Sequence, residues 1–328
     1  MADLTTEYLG LKLNNPIVAG SSGLSASVKG VKELADNGAG AVVLKSIFEE
    51  EIMFEYDDIL KEAGREGVNL DQFDYYDYQL KGEKVKKYSD LIAESKKSIS
   101  IPVIASVNCV YSHEWISFAK QLEQAGADAL ELNMFFLPSE FDRTTEEKEK
   151  AYFEIIEKVQ KEIDIPIALK ISYYFSNLGP MIQKLSETGI AGLVLFNRFY
   201  SPDFDIDKFE VVSSNVFSNP SDLAISLRWI AIMAERVNCD LAASTGVHDG
   251  NALIKQILAG ANAVQVVSAL YQQGKGSIFT MLKTLEQWME KKGFDSPSDF
   301  RGKMSQAKSS NPAGYERVQF MRYFGGAN

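Results

Sequence analysis

Two lysines and three asparagines in this 328-residue sequence share one context: each stands at the C-terminal end of a short apolar run. Lys45 closes the run 41–45, Asn108 follows 102–107, Asn133 closes 129–133, Lys170 falls in 166–171 and Asn197 follows 191–196. An ammonium at the end of a buried strand must be satisfied where it sits, because stripping water from an unpaired charge is costly. Its partner is either a carboxylate or an anionic ligand. Two such lysines among three amides, with no cluster of carboxylates in those tips, point to a small anionic ligand held by ammonium and amide groups. Other run ends carry only small residues: Gly20-Ser21-Ser22-Gly23, Ser46 beside Lys45, Ser244-Thr245-Gly246, and Ser268-Ala269. Thr245, Gly246 and Ser268 suit a phosphate monoester, which backbone N–H groups and hydroxyls can hold without arginine.

These residues need elements that bring their ends together. A junction recurs in which a helical stretch ends in Gly, passes through small residues and enters an apolar run. It reads Asn37-Gly38-Ala39-Gly40, Ala125-Gly126-Ala127-Asp128, Gly189-Ile190-Ala191-Gly192 and Ala259-Gly260-Ala261-Asn262. Gly caps the helix in left-handed geometry and the small residues let the chain turn into a strand. A second junction, Ile101-Pro102 and Ile165-Pro166, puts proline at a strand's first position. Eight apolar runs result, at about 16–20, 41–45, 102–107, 129–133, 166–171, 191–196, 240–244 and 263–267. Amphipathic stretches near 27–37, 113–125, 145–162, 178–188, 221–237, 249–259 and 275–291 separate them. Apolar strands alternating with helices mean a covered parallel sheet, and eight units without a G-x-G-x-x-G loop favour a closed (β/α)₈ TIM barrel over an open sheet. Residues 1–328 read as one such domain. Two parts break the repeat: an acidic, aromatic insertion after strand two at 47–87, with Phe54, Tyr56, Phe73, Tyr75, Tyr76 and Tyr78, and a polar tail at 292–328.

Composition narrows the function. Hydrophobic residues make up 45% of the chain and charged residues 24%, a globular balance. A formal net charge of −11 repels nucleic acid and anionic lipid, so neither is an expected partner. Cys109 and Cys239 make no disulfide framework, and no Cys/His cluster has metal-ligand spacing, so no metal is expected. The N-terminal residues lack the basic and apolar regions of a signal peptide, and no run approaches the roughly 20 apolar residues that span a bilayer; a cytoplasmic protein is expected. His113 and His248 read as surface or capping residues. Trp115, Trp229 and Trp288 read as helix packing.

The ordered motifs resemble the dihydroorotate dehydrogenase family, including the pyrimidine-site domain of dihydropyrimidine dehydrogenase. They run from the opening hairpin Leu9-Gly10-Leu11-Lys12-Leu13-Asn14-Asn15-Pro16 through Leu44-Lys45-Ser46 and Ser106-Val107-Asn108-Cys109. They continue with Leu130-Glu131-Leu132-Asn133, Leu169-Lys170-Ile171, Phe196-Asn197, Ser244-Thr245-Gly246-Val247, Gln265-Val266-Val267-Ser268-Ala269-Leu270 and Ser298-Asp299-Phe300-Arg301-Gly302-Lys303. The resemblance implies FMN-dependent oxidation of dihydroorotate to orotate in pyrimidine biosynthesis. It implies that Gly20, Ser21, Ser22, Lys45, Ser46 and Asn108 lie against the flavin. Lys170 would stand at its pyrimidine edge, and Thr245, Gly246 and Ser268 on its phosphate. Lys45, Asn133 and Asn197 would grip the anionic substrate. It further implies a soluble homodimer, or a pairing with an iron–sulfur flavoprotein subunit; this chain has no cysteine set for such a cluster.

One departure falls on the chemistry. The family carries a Cys or Ser base three residues after the substrate Asn, where this chain has Phe136 in Asn133-Met134-Phe135-Phe136-Leu137-Pro138. Ser139 is the nearest hydroxyl and, with Lys45, the candidate catalytic group; Cys109 is a further candidate. The family's Asn-bearing loop after strand two and its Gly-Gly pair between strands six and seven are absent, the latter region reading Asn215-Val216-Phe217-Ser218-Asn219-Pro220-Ser221, a helix start capped by Asn219. Three readings stay open: a dihydroorotate oxidoreductase, an FMN oxidoreductase on another cyclic or enone compound, and a flavin- or nucleotide-binding barrel without turnover.

Overall fold

The fold comes from a computed structural model that describes residues 2–48, 73–108, 115–134, 137–139 and 141–316, without the side chains of 73–82 and 115–117. A short antiparallel hairpin, β1 (Thr6–Tyr8) and β2 (Leu11–Leu13), precedes the barrel. The eight barrel strands are β3 (Ile17–Ala19), β4 (Ala41–Val43), β6 (Val103–Asn108), β7 (Ala129–Met134), β8 (Ile167–Ile171), β9 (Gly192–Leu195), β12 (Asp240–Ser244) and β13 (Ala263–Val266). All pair in parallel, and the β4–β6 pairing with the β13–β3 pairing closes the ring. The short β5 (Ile47–Phe48) continues the β4 position and pairs with the far end of β6.

The helices between them are α1 (Val28–Asp36), α2 (Phe73–Ser98), α3 (Trp115–Gln124), α4 (Thr145–Gln160), α5 (Leu178–Ser186), α6 (Leu223–Met233), α7 (Gly250–Ala259), α8 (Ser268–Gln273) and α9 (Ser277–Lys292). The repeated junctions behave as the sequence predicts. Gly38, Gly126, Gly189 and Gly260 all have positive φ, at 95°, 98°, 84° and 129°. Both proline junctions open strands, and the Pro102 and Pro166 carbonyls accept the Val42 and Leu130 N–H at 3.0 and 2.9 Å. Local caps start the helices: Asp249 accepts the Ala252 N–H at 2.7 Å before α7, and Thr144 and Glu147 form a reciprocal box before α4.

Strand alternation produces two cores. Outward residues such as Val42, Ile104's neighbours Val103 and Ala105, Leu132, Leu169 and Leu193 pack under the helices. Inward residues Val18, Ala41, Val43, Ile104, Ala129, Ala168, Val194, Ala242 and Ala263 fill the barrel, which Tyr8, Leu9 and Leu13 of the hairpin close from the N-terminal end. The hairpin is pinned by polar bonds. Asp240 accepts the Leu9 N–H at 2.8 Å and the Asn262 amide at 2.7 Å, while Thr6 donates to the Asn262 carbonyl at 3.1 Å. Asp240→Ala leaves two donors unserved and is expected to cost about 2–4 kcal/mol in urea denaturation, with Asp240→Asn recovering part of it.

Three regions depart from the sequence reading. The predicted insertion over 47–87 is shorter, because residues from 73 onward already belong to α2, the barrel's own second helix; residues 49–72, with Phe54 and Tyr56, lie outside the described residues. The predicted polar tail is docked as far as it is described. Phe300 is fully buried against Trp288 and Phe294, and Gly302, Met304 and Gln306 donate to Ile257, Leu258 and Ala231 carbonyls. An unpredicted antiparallel hairpin, β10 (Pro202–Asp205) and β11 (Glu210–Ser213), follows β9 and leaves Phe204, Phe209 and Val211 exposed. As expected, Asn219 caps the turn before α6 with Pro220 following; its N–H donates to Asp222 at 2.9 Å.

Candidate active site at the barrel rim

Parallel register sets the site. Asn108, Asn133 and Lys170 are paired across β6, β7 and β8, so their side chains share the barrel interior, each further toward the C-terminal end than Ile104, Ala129 and Ala168. All three are buried. Lys170 donates to Gln265 Oε1 at 2.8 Å, and its Nζ lies 3.8 Å from Glu131 Oε1. Gln265 Nε2 in turn donates to Glu131 Oε2. The expectation that no carboxylate serves the buried lysine is therefore corrected. Glu131 does so from two residues before Asn133 on the same strand face. An ammonium has three protons, so the pair with Gln265 and the longer approach to Glu131 leave it donor capacity toward the rim.

Asn133 and Asn197 form an oriented amide pair. The Arg198 N–H donates to Asn197 Oδ1 at 2.8 Å, which turns Asn197 Nδ2 to Asn133 Oδ1 at 2.7 Å. A backbone donor thus dictates both amide orientations, because each amide has one accepting and one donating end. Asn133 keeps its NH₂ group for another acceptor. That NH₂ group can donate to a carbonyl or carboxylate oxygen.

The Gly20–Gly23 loop follows β3, with the Gly20 N–H donating to the Val266 carbonyl at 3.1 Å and Ser21 bonded to Ser46 beyond β4. A β-carbon on Gly20 would fall 2.7 Å from Val267 Cγ2, so only glycine lets the loop approach β13 this closely. Ser21 Oγ accepts the Ser46 N–H at 2.9 Å and shares a 3.0 Å hydrogen bond with Ser46 Oγ, which continues to Ser106 Oγ at 2.7 Å. The α2 residue Tyr88 anchors that chain, accepting the Ser106 N–H at 2.9 Å and donating to its carbonyl at 3.2 Å. Burial pushes the Tyr88 phenol far above its ordinary value, so it stays a neutral donor and acceptor. Lys45, half-buried, stands between β4 and β5 beside this serine chain.

At the tips of β12 and β13 the chain backs onto Ser218. Its N–H donates to Ser268 Oγ at 2.9 Å, and its hydroxyl meets His248 Nε2 at 3.1 Å and the Gly246 N–H at 3.4 Å. His248 is buried here, which corrects its reading as a surface or capping residue; a short polar bond to Ser218 holds it. Thr245, itself at φ 78°, donates to the Phe196 carbonyl at 3.1 Å and ties the end of β12 to the end of β9.

The structure thus gathers Gly20, Ser21, Ser22, Lys45, Ser46, Asn108, Asn133, Lys170, Asn197, Thr245, Gly246 and Ser268 at one end of the barrel. Ser139 stands apart. It is exposed, and its hydroxyl reaches the Leu137 carbonyl at 3.5 Å rather than the amide pair. Phe136, Cys109 and His113 lie outside the described residues. The sequence reading missed Glu131, Gln265, Ser106, Tyr88 and Ser218. Glu131 and Gln265 did carry a signal: a polar residue inside an apolar strand, in phase with the inward positions.

A closed α/β barrel that concentrates an ammonium, oriented amides and hydroxyls at its C-terminal rim defines an enzyme-type scaffold for small anionic ligands. The chain belongs to the dihydroorotate dehydrogenase family, whose family model, described as "Dihydroorotate dehydrogenase", matches residues 3–289. It is 27% identical over 320 residues to dihydroorotate dehydrogenase B (NAD(+)), catalytic subunit, of Thermoplasma volcanium, covering 92% of this chain and 98% of that one. The protein of the same description from Thermoplasma acidophilum is 27% identical over 312 residues, covering 92% and 99%. The putative dihydroorotate dehydrogenase A (fumarate) of Aeropyrum pernix is 25% identical over 307 residues, covering 92% and 97%. Among the described residues, no helix is long and apolar enough to cross a membrane.

Proposed function

We propose that this chain is an FMN-dependent dehydrogenase that oxidises a CH–CH bond of dihydroorotate, and that the oriented Asn133–Asn197 pair beside Lys170 carries this reading. The rim suits the cofactor chemically. The donor set pairs a buried cation for an electron-rich ring edge with small, hydroxyl-bearing tips for a phosphate, and the glycine at position 20 keeps the strand-one loop close to β13. When bound, FMN would supply the hydride acceptor.

The chain's own groups would bind, orient and supply charge. Lys170 would hold positive charge where negative charge grows during transfer, a fixed electrostatic contribution that needs no reorganisation. Gly20, Ser21, Ser22, Ser46 and Asn108 would line the ring, and Thr245, Gly246 and Ser268 the phosphate. Asn133 would present NH₂ to a substrate carbonyl, and Asn197, locked by the Arg198 N–H, would keep it from turning. Lys45 would meet the substrate carboxylate. The similarity to chains described as NAD(+)-type catalytic subunits supports NAD(+) over fumarate as the final acceptor. It also supports work beside a further subunit in place of a plain homodimer.

A second reading follows from Phe136. Phenylalanine cannot accept a proton, and Ser139 faces solvent. An FMN oxidoreductase on another cyclic substrate bearing the same carbonyl and carboxylate acceptors satisfies the same site. Anaerobic titration of the yellow, FMN-loaded protein separates the two. Bleaching of the flavin absorbance by dihydroorotate is expected under the first reading. Bleaching by another cyclic compound with those acceptors, and not by dihydroorotate, selects the second. Bleaching by dithionite alone leaves a flavin-binding barrel without turnover, and a protein that takes up no FMN refutes both.

A further inference from the structure

We infer that Glu131, acting through Gln265, is a positioning residue that aims Lys170 and sets how much of its charge reaches the flavin site. The inference rests on the FMN reading above and deepens it. Three strands far apart in sequence supply the relay: β7, β13 and β8. Glu131 is 1% exposed, Gln265 2% and Lys170 6%, so water contributes little to their pairing.

The chemistry of an amide makes the relay directional. Gln265 has one accepting and one donating end. Glu131 only accepts, so it takes the Nε2 end and leaves Oε1 facing Lys170. Without an acceptor at position 131, nothing prevents the amide from turning its NH₂ toward the ammonium, donor against donor. Glu131 therefore decides which atom Lys170 meets.

A second observation concerns charge. Glu131 Oε1 is buried without a hydrogen-bond partner, yet lies 3.8 Å from Lys170 Nζ. That separation is too long for a hydrogen bond and short enough for strong attraction between buried charges. A native structure rarely leaves a carboxylate oxygen orphaned. Here the Gln265 bridge spaces the ion pair, holding the ammonium short of direct contact with Glu131. The ammonium keeps donor capacity for the rim while a nearby anion offsets part of its charge. Glu131 is felt elsewhere in the barrel too: burial raises the Tyr8 phenol well above its ordinary value, and the charge of Glu131 adds to that rise.

Two variants with opposite expected effects test this. In the FMN-loaded protein, Glu131→Gln removes the offsetting anion, so reduced flavin should gain about tenfold in affinity over oxidised flavin. For a two-electron couple that is an upward midpoint shift of about 30 mV. Gln265→Leu removes the spacer and lets Lys170 close on Glu131, so the midpoint should move down by a similar amount. Spectroelectrochemical titration reads both, with circular dichroism checking the fold. Unchanged potentials, or shifts of the same sign, overturn the inference. If Glu131→Gln does not fold, Gln265→Leu alone decides: a downward shift supports the relay, and no shift or an upward one refutes it. A wild-type protein that binds no FMN refutes the functional reading itself, and the relay's role with it.

Discussion

Lys170→Met is expected to lower stability by about 3–5 kcal/mol and to slow flavin reduction by about a hundred- to a thousandfold, and the two losses should separate. The stability loss arises because Glu131, 3.8 Å away and almost fully buried, is left as an uncompensated charge. Adding Glu131→Gln to the same protein removes that charge and should recover most of the lost stability in urea denaturation. The kinetic loss has a different origin. A fixed cation at a site of developing negative charge contributes on the scale of one oxyanion-hole donor, about 10²–10³ in rate. The double variant cannot restore it, so stopped-flow flavin reduction should stay slow in a protein that is stable again. If the double variant regains the rate, Lys170 serves only to neutralise Glu131.

Gly246→Ala should be the most damaging single methyl at the rim. Its β-carbon would fall 2.1 Å from the Leu223 nitrogen and 2.6 Å from Leu223 Cα, backbone atoms at the start of α6. Gly246 also has φ +79°, which an alanine adopts only with strain. Strain and overpacking together give roughly 3–5 kcal/mol. Gly293→Ala is the matched control, since its φ is +72° but nothing lies within 4 Å of an added β-carbon; strain alone, about 1 kcal/mol, is expected there. Relief of the clash must move α6 and the Ser218 turn, whose N–H donates to Ser268. Under the FMN reading, affinity for FMN should therefore fall at least tenfold by fluorescence titration, while riboflavin, lacking the phosphate, should lose far less. Equal losses for both ligands would remove the phosphate from this corner.

Much of the site was readable because its chemistry sits at strand ends, and strand ends are local features. Gly38, Gly126, Gly189 and Gly260 announce helix exits through a backbone requirement of single residues. Pro102 and Pro166 announce strand starts by the same kind of local constraint. Once eight strands are counted, Lys45, Asn108, Asn133 and Lys170 follow as the polar residues at their tips. What they touch did not follow. Helix α2 was read partly as insertion because its first six residues, Phe73-Asp74-Tyr75-Tyr76-Asp77-Tyr78, lack an apolar stripe of helical period. The hairpin β10–β11 escaped because its strands have four residues each and bury no face.

The amino-acid order alone determined the barrel, its direction and which polar residues stand at its strand tips, since each rests on periodicity and capping within about ten residues. Only the tertiary structure decided that Glu131 and Gln265, 134 positions apart, meet beneath Lys170, and that His248 is buried against Ser218. The physical reason is closure of the ring: strand alternation says which residues point inward, whereas barrel register decides which inward residues stand face to face.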